Sequence, residues 1–414
     1  MRRLGLDASR ISRSRSEPPH DRSPPIVRTA FASTYPPRRC GIATFTHDLA
    51  VATGPREIVA LHPPDQRGPY PGEVHHRIRR DVADDYVRVA RALNGCAVDL
   101  VSVQHEYGIW GGTDGGHVLD FVRALDVPAV ATLHTVLRHP TPSQRRILSE
   151  LVRTVASTVV MSRSAAALLV DGYDVEPARL EVIPHGVPDL PFVEPDTVKP
   201  AVGLEGRAVL LSFGLLGPAK GYELAIEAMP AVVRAVPSAC YVVLGATHPD
   251  LLRQEGDAYR GWLVARTQEL GMADHVQFID RFVGRVELAR WLEAADVFVT
   301  PYPNLDQIVS GSLSYAMGAG KPAVSTPYAY AVEILANGRG VLVPPRSPEG
   351  MAAALIELLQ DRGLRAAIGR RAYAQGRRMI WSEVGAAYGR LFAQVVAART
   401  VGRGAPAAFP ILGA

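Results

Sequence analysis

The sequence predicts an α/β protein made of two Rossmann-like domains that face each other across a cleft. From residue 26 onward, short apolar stretches alternate with helical patterns, which is typical of parallel-sheet architecture. The alternation stops at a proline-rich segment, residues 187–203, and then starts again. A chain of 414 residues is also too long for one ordinary hydrophobic core. Two successive α/β units joined by a linker account for all three observations.

The order of the apolar stretches sets the expected domain boundaries. Six strands are predicted before the linker and six after it: 26–33, 57–62, 98–104, 128–134, 157–162 and 180–186, then 208–214, 239–245, 275–280, 296–301, 322–326 and 340–344. We therefore expect a first Rossmann-like domain over 26–195 and a second over 204–376. The helical spacing near the C-terminus predicts that residues 377–400 form a helix that crosses back to the first domain.

Composition and cysteine usage exclude several classes of protein. The hydrophobic fraction of 47% and charged fraction of 21% are those of a soluble globular protein. The chain has no run of eighteen apolar residues, so no membrane-spanning helix is expected. The first 25 residues lack the apolar centre of a signal peptide. Cys40, Cys96 and Cys240 form neither a disulfide framework nor a zinc spacing. We therefore expect a cytoplasmic protein.

The formal charge of +4 does not indicate a nucleic-acid partner. Residues 1–25 carry six arginines against three acids, so the rest of the chain is close to neutral. The composition of this segment predicts a disordered basic tail, which we interpret as a solvated appendage. The folded part is not expected to bind nucleic acid.

Residues that follow the strands of the first unit are candidates for a ligand site, because ligands of open α/β sheets lie beyond the carboxyl ends of the strands. Arg39 and Gly41 follow the first strand, where a glycine lets the backbone approach a ligand and the next helix begins. An ordinary turn is the alternative interpretation. His105, Glu106 and Tyr107 end the third predicted strand, with paired glycines after them.

Two further residues suggest chemistry at the predicted cleft. His134 ends the fourth strand, where its position in the cleft favours a role in sugar binding over a structural one. Lys220 lies on a glycine-flanked loop that enters a helix, where an ammonium neutralises a diphosphate without a metal. A solvated surface charge is the alternative for Lys220. The chain has no third histidine or cysteine at ligand spacing and no Asp-x-Asp pair, so no metal site or other cofactor is expected.

These positions together resemble the retaining nucleotide-sugar glycosyltransferases of family four, which have the GT-B fold. The resemblance covers about residues 26–400 and rests on the order and spacing of several short motifs. They are the Gly41 loop, ATLH (131–134), VIPHGV (182–187), Gly214 with Lys220, ADVFVTP (295–301), AMGAGKPAVST (316–326) and GRGVLVPP (338–345).

The resemblance implies transfer of a hexose from a nucleoside diphosphate sugar, a GDP- or UDP-sugar, to an acceptor hydroxyl with retained anomeric configuration. The acceptor is expected to be a glycan or a lipid-linked molecule, bound mainly by the first domain, and the candidates for the acceptor side are Arg39, His105, Glu106 and Tyr107. His134 and Lys220 would be the catalytic residues, with Gly41, Gly214 and Lys220 at the donor. No metal is implied.

Three positions depart from the family pattern. The two acids of its Glu-x7-Glu motif align with Gln307 and Tyr315, and the arginine expected after Gly214 is Leu215. The remaining residues of the loop indicate a rebuilt donor site rather than a lost one. Gln307 is expected to exchange hydrogen bonds with sugar hydroxyls, and Tyr315 to pack on a ribose or donate its hydroxyl to it. A place in the hydrophobic core is the alternative interpretation for Tyr315. The donor-site candidates in this part of the chain are Arg281, Gln307, Ser310, Gly311, Ser312, Tyr315 and Glu333.

Two other questions stay open at this level. A catalytically silent GT-B scaffold or glycan sensor is the alternative function, and the three departures support it. The resemblance also implies peripheral contact with the inner membrane face, for which Arg138, Arg145 and Arg146 are candidates. A solvated helix face is the interpretation that we favour for these three arginines.

Overall fold

The computed structural model describes residues 27–54 and 56–404, so the predicted basic tail lies outside the described residues. The chain forms two parallel β-sheets with helices on both faces, which confirms the predicted fold class. Each sheet has a core on each face. Ala30 and Ala32 point into one core of the first domain, while Phe31 between them points into the other. Both faces are apolar because both are covered by helices.

The first sheet has seven strands in the order β3-β2-β1-β4-β5-β6-β7. The strands are β1 Thr29–Ser33, β2 Arg56–His62, β3 Val74–Arg79, β4 Leu100–His105, β5 Ala129–Leu133, β6 Ser157–Val160 and β7 Leu180–Val182. The helices are α1 Gly41–Thr53, α2 Ala83–Asn94, α3 His117–Arg123, α4 Pro142–Thr154 and α5 Arg163–Tyr173.

The second sheet has six strands in the order β10-β9-β8-β11-β12-β13. The strands are β8 Ala208–Phe213, β9 Ala239–Leu244, β10 Val276–Ile279, β11 Val297–Thr300, β12 Ala323–Ser325 and β13 Val341–Leu342. The helices are α6 Tyr222–Ala235, α7 Pro249–Glu255, α8 Ala258–Glu269, α9 Arg285–Ala294, α10 Gly311–Gly318, α11 Ala329–Ile334, α12 Pro348–Gln360, α13 Arg362–Gly376 and α14 Trp381–Gly404.

Each sheet has a point where the direction of strand addition reverses. In the first sheet this point lies between β1 and β4, and in the second it lies between β8 and β11. The loops that leave neighbouring strands in opposite directions open a crevice there, and ligands of such sheets bind in it. The fold therefore directs attention to the loops after these four strands.

Strand β3 is absent from the sequence-based prediction. Its residues, VHHRIR, alternate between buried Val74 and Ile78 and more exposed His and Arg side chains. β3 forms the edge of the sheet and pairs only with β2, so one face of the strand needs few apolar residues. The period of two was the available signal, but the charged residues masked it.

The helix α14 packs on the first domain, although it follows the second domain in the chain. Val384, Tyr388 and Phe392 are buried in the same core as Phe31 and Phe45. The Tyr388 hydroxyl lies 3.1 Å from Thr132 Oγ1 on β5. Within the described ranges, no helix has both the length and the apolarity that a membrane crossing requires.

The linker is fastened to the second domain by a buried ion pair. Lys199 Nζ lies 2.8 Å from Asp296 Oδ2, and both side chains are about 95% buried, with exposed fractions of 5% and 4%. Asp296 also accepts a hydrogen bond of 2.7 Å from the Val209 amide at the start of β8. The pair therefore joins the linker to two neighbouring strands, β8 and β11.

Replacing Lys199 with Ala is expected to lower the free energy of unfolding by up to about 3–5 kcal/mol, because Asp296 stays buried with the more distant Arg365, at 3.7 Å, as counter-ion. The exposed pair between Arg362 and Glu194 is the matched control, and Arg362→Ala should cost less than about 1 kcal/mol. Urea unfolding followed by circular dichroism measures both. Equal losses in the two variants would contradict the structural role of the buried pair.

Candidate active site

Four polar side chains meet at the switch point of the second sheet. Lys220, after β8, donates a 3.0 Å hydrogen bond from Nζ to the hydroxyl of Tyr302, after β11. The same hydroxyl lies 3.3 Å from Ser310 Oγ and 3.0 Å from Ser312 Oγ. Ser310 caps α10 by accepting from the Leu313 amide at 3.3 Å. The ammonium and the start of α10 therefore present positive charge on the same crevice.

The structure brings together four of the predicted donor-site residues, Lys220 from the loop after β8 and three residues at the start of α10. Lys220, Ser310 and Ser312 share the Tyr302 hydroxyl, and Gly311 is the first residue of α10. Gly214 has a φ of 135°, and a Cβ at this position would meet open space. The backbone there is open to a close approach by a ligand, as Gly41 also is at the start of α1.

Across the cleft, His134 lies at the end of β5 in a buried position. Its Nε2 lies 2.9 Å from Gln104 Oε1, while Gln104 Nε2 donates to Ser102 at 3.2 Å. Because the amide nitrogen is used on Ser102, the amide oxygen accepts from Nε2–H, and this leaves the His134 Nδ1 as a hydrogen-bond acceptor. Burial, helped by the neighbouring His185 and His105, lowers the pKa of His134 to about 3. The imidazole is therefore neutral at physiological pH.

Aromatic side chains from both domains line the space between His134 and α10. The ring of Phe45 packs edge-on against His134, His185 and Trp381 at centroid distances of 5.0–5.2 Å. A Cβ on Gly311 would lie 2.9 Å from His185 Nε2, so a larger residue there requires His185 to shift. Burial lowers the pKa of His185 to about 4. His185 belongs to the VIPHGV motif, but its sequence did not single it out as a site residue.

Two donor-site candidates, Tyr315 of α10 and Gln307 of the loop before it, are engaged by other residues of the protein. The ring of Tyr315 lies 6.1 Å from the rings of His185 and Phe213, and burial raises the pKa of its hydroxyl. The side chain of Gln307 donates from Nε2 to the Val309 carbonyl at 2.9 Å. Gln307 thus shapes its own loop, while Tyr315 forms part of the cleft wall.

Two other candidates are held elsewhere in this structure. Arg281 forms an exposed ion pair with Glu287, with Nη1 2.6 Å from Oε2. Glu333 accepts hydrogen bonds of 2.9 and 3.0 Å from the amides of Arg163 and Ser164. Glu333 therefore caps the start of α5 in the first domain, and its carboxylate is occupied by protein amides.

The predicted acceptor-side residues divide into exposed and buried members. Arg39 is exposed beside the start of α1. Glu106 accepts from the Thr135 hydroxyl and from the Tyr107 amide, and burial raises its pKa. His105 is fully buried, has no hydrogen-bond partner on either ring nitrogen, and has its pKa lowered by burial to about 4. Tyr107 packs edge-on against His105, so these three residues support the loop from inside.

The loop before α10 joins the domains through apolar and polar contacts. Ile308 is buried in one core of the first domain and Val309 in the other. The Ile308 carbonyl accepts a hydrogen bond of 2.9 Å from the Ser162 hydroxyl, and Asp306 pairs with Arg138 at 3.1 Å. On another side of the cleft, Arg285 of α9 contacts both Asp48 and His47 of α1.

Sequence reasoning missed Tyr302 and also a buried arginine near the strand ends. Arg260 on α8 has an 8% exposed side chain, pairs with Asp280 at 2.7 Å and donates to the Gly245 carbonyl at 2.9 Å. Gly245 in turn lies against the carbonyl of Gly214, so that no Cβ fits between them. Neither Tyr302 nor Arg260 belongs to a recognisable motif. Tyr302 was detectable only by its position just after the strand ADVFVTP.

Replacing Glu333 with Gln leaves one carbonyl oxygen for two amides, because the other oxygen becomes an NH2 group. We expect the amides of Arg163 and Ser164 to exchange with solvent roughly tenfold faster, as one hydrogen bond across the domains is lost. Hydrogen exchange read by mass spectrometry measures this change. Glu349→Gln, at an exposed first-turn position of α12, is the control. Unchanged protection in Glu333→Gln would show that the contact is weak in solution.

In the described ranges, no three His, Cys, Asp or Glu side chains come together in a way that suits a metal ion. The polar groups that converge on the cleft are instead an ammonium, hydroxyls, amides and a neutral imidazole. Such a set neutralises a phosphate and binds hydroxyls, which is the chemistry of a phosphorylated sugar ligand.

Comparison with known proteins assigns the chain to a family. Two family profiles match it, "Glycosyltransferase Family 4" over residues 40–189 and "Glycosyl transferases group 1" over residues 196–375. The D-inositol 3-phosphate glycosyltransferase of Xylanimonas cellulosilytica is 30% identical over 299 residues, which are 66% of this chain and 68% of that protein. The phosphatidyl-myo-inositol mannosyltransferase of Mycolicibacterium smegmatis is 28% identical over 280 residues, 66% of this chain and 67% of that protein.

Solved structures agree on the fold. The crystal structure of HepE from Anabaena in complex with UDP and glucose has a TM-score of 0.73, covering 89% of this chain and all of that chain at 15% identity. A likeness at this identity establishes the architecture alone. The family matches, together with the two facing Rossmann-like domains, lead to one conclusion: the chain belongs to the group 1 glycosyltransferases and is a glycosyltransferase with the GT-B fold.

Proposed function

We propose that the protein transfers a hexose from a UDP- or GDP-sugar to an acceptor hydroxyl, with retained anomeric configuration and without a metal ion. The observation that carries this proposal is the set of Lys220, Ser310 and Ser312 around the Tyr302 hydroxyl at the start of α10. This set lies at the switch point of the second sheet, where an α/β domain binds its ligand.

The charge of the site suits a departing diphosphate. The Lys220 ammonium and the first-turn amides of α10 supply positive charge from two directions, and the serines add hydroxyl donors. Negative charge grows on the diphosphate as the bond to the sugar breaks, so donors already oriented there favour the transition state over the bound donor. This arrangement gives a protein-only alternative to a carboxylate-held cation.

His134 acts as a neutral hydrogen-bonding residue in this proposal. Its Nε2–H is engaged by Gln104, which leaves Nδ1 to accept a hydrogen bond from a hydroxyl of the donor sugar. With a pKa of about 3, the Nδ1 of the imidazole is unprotonated in the working pH range. The residue therefore orients the sugar rather than acting as an acid or base.

Retention places the acceptor on the same face of the sugar as the leaving group. The acceptor oxygen bonds to the anomeric carbon, the bond from that carbon to the diphosphate oxygen breaks, and the acceptor proton moves to that departing oxygen. The leaving phosphate is then the nearest base, so no carboxylate is needed beside the acceptor. The replacement of the family acids by Gln307 and Tyr315 is compatible with this route.

The acceptor is proposed to be a hydroxyl of a glycan or of a lipid-linked molecule, with phosphorylated inositols as the first to test. Two relatives are named for inositol phosphate or phosphatidylinositol substrates, which supports this choice. A lipid-linked acceptor would bring the protein to the inner membrane face. Arg138, in the loop before α4, pairs with Asp306, and Arg145 of α4 lies over the ring of Tyr173 at 5.1 Å, so both arginines are engaged by the protein itself.

UDP or GDP is expected to raise the melting temperature of the protein without added Mg²⁺, since binding only to the folded state stabilises it. Lys220→Ala should remove this rise, because the cation at the diphosphate is lost. Arg234→Ala removes an exposed cation from the far end of α6, the helix that follows Lys220, and should keep the rise. No shift with any nucleoside diphosphate or its sugars at millimolar concentration would refute the proposal.

His134→Ala should lower the rate of transfer at least about tenfold, through loss of an oriented hydrogen bond in a dry site. The wild-type rate should show no limb near pH 6.5, the usual pKa of histidine, because His134 stays neutral from pH 5 upward. Proton NMR of the product, with inositol phosphates as acceptors, gives both the rate and the anomeric configuration. An inverted product would refute retention, and an acid limb that disappears in His134→Ala would refute the neutral role.

A further inference from the structure

Tyr302 lies at the centre of the proposed donor site and has no counterpart among the expected site residues. It follows β11 by two residues, and only 5% of it is exposed. Its hydroxyl contacts three groups of the site, the Lys220 ammonium and the hydroxyls of Ser310 and Ser312. The Lys220 Nζ also lies 4.3 Å from the centre of the Tyr302 ring, so the ring and hydroxyl together hold the ammonium.

The packing of Tyr302 fixes its hydroxyl in place. Its ring stacks on the ring of Tyr328 at a centroid distance of 4.9 Å and an angle of 17°. The Tyr328 hydroxyl lies 3.0 Å from Thr300 Oγ1, and Thr326 donates to the Tyr302 carbonyl at 2.6 Å. The segments that follow the neighbouring strands β11 and β12 therefore hold both the backbone and the ring of Tyr302 in place.

Hydrogen-bond accounting gives the direction of each proton. A phenol has one proton to donate, and its oxygen accepts from others. Because Lys220 has only protons to give, the Tyr302 oxygen accepts from the ammonium and its own proton goes to a serine. Ser312 is the nearer serine, at 3.0 Å. Ser310 Oγ lies 3.2 Å from Ser312 Oγ, and when Ser310 donates across this contact the Ser312 proton remains for an acceptor in the cleft. Two protons of the ammonium remain as well.

We propose that Tyr302 is the positioning residue of the donor site, and that its neutral hydroxyl orients Lys220 and Ser312 so that both donate to the diphosphate. The inference rests on the proposed function and deepens it. Tyr302 does not need to touch the donor, because it acts through the two residues that do. In this way one phenol contributes to the electrostatic stabilisation of the diphosphate.

The protonation state of Tyr302 makes the affinity for a nucleoside diphosphate depend on pH. Burial raises its pKa, but the Lys220 charge and the hydrogen bonds from Lys220 and the serines outweigh burial and bring the pKa to about 8. The other titratable groups around it are Tyr222, Tyr241 and Tyr328, and burial raises the pKa of each. Lys220 is therefore the charged neighbour, and the other three tyrosines stay neutral when Tyr302 ionises.

The sign of the pH effect follows from charge. Below about pH 8 the phenol is neutral, and Lys220 offers its full charge to the diphosphate. Above it, the tyrosinate neutralises the ammonium, repels the diphosphate and has no proton for Ser312. Affinity for a nucleoside diphosphate should thus fall as pH rises through about 8, approaching a tenfold loss per pH unit. The diphosphate is already fully ionised in this range, since its last pKa is about 6.

The test is calorimetric titration of UDP and of GDP into the full chain from pH 7 to pH 9. The wild type should lose roughly tenfold in affinity over this window. Tyr302→Phe should bind roughly tenfold more weakly at pH 7 and lose the alkaline fall, because a hydrogen bond to a charged group is gone and nothing remains to titrate. Tyr388→Phe is the matched control, because its hydroxyl is also buried but lies 3.1 Å from Thr132 Oγ1 in the first domain, and this variant should keep the wild-type affinity and pH dependence.

Each outcome decides between the inference and the proposed function. A wild-type affinity that stays constant from pH 7 to pH 9 overturns the role of Tyr302 whatever the variants do, so a variant that fails to fold leaves the test intact. A fall that persists in Tyr302→Phe overturns it as well. If Lys220→Ala abolishes binding while Tyr302→Phe resembles the wild type, the proposed function stands and this inference fails. If no nucleoside diphosphate binds the wild type, the proposed function itself fails.

Discussion

The burial of Ile308 and Val309 is the contact on which the geometry of the cleft depends. These two residues belong to the second domain in sequence, yet they are buried in the two cores of the first domain. Burying two such side chains contributes about 1.5–3 kcal/mol each. Ser310 follows directly and caps α10, so the contact that joins the domains also sets where the proposed donor site begins. The distance between the domains and the position of the helix start are therefore linked.

The distribution of charge around the strand ends explains why Lys220, rather than a nearby arginine, is assigned to the diphosphate. Arg260 is paired with Asp280 and Asp257, and Arg281 is paired with Glu287. Lys220, by contrast, contacts the hydroxyl of Tyr302 and the face of its ring. A cation held by neutral groups keeps its charge for a ligand, whereas the charge of a cation held by carboxylates is largely neutralised by them. The two arginines instead stabilise loops of the domain.

The departures from the family pattern also have a physical reading in this cleft. The pKa of Tyr315 is raised by burial and by the charge of Asp48, so a carboxylate at this position would meet both costs. A phenol fills the same space between His185 and Phe213 without adding charge. Gln307 keeps a polar side chain but uses it on the Val309 carbonyl, within the loop that carries the domain contact. Both residues serve the shape of the cleft.

The sequence by itself determined the fold class, because the alternation of strands and helices and its restart after the linker are local patterns of apolar residues. It also determined which loops follow the strands, and hence that Lys220, Ser310 and His134 border the cleft. Tertiary structure alone decided how the side chains are used. Glu333 and Arg281 lie near strand ends like the others, but they bond to the start of α5 and to Glu287, contacts that depend on distances between distant segments. The central position of Tyr302 was likewise unpredictable, since it depends on how β8, β11 and α10 bring three loops to one hydroxyl.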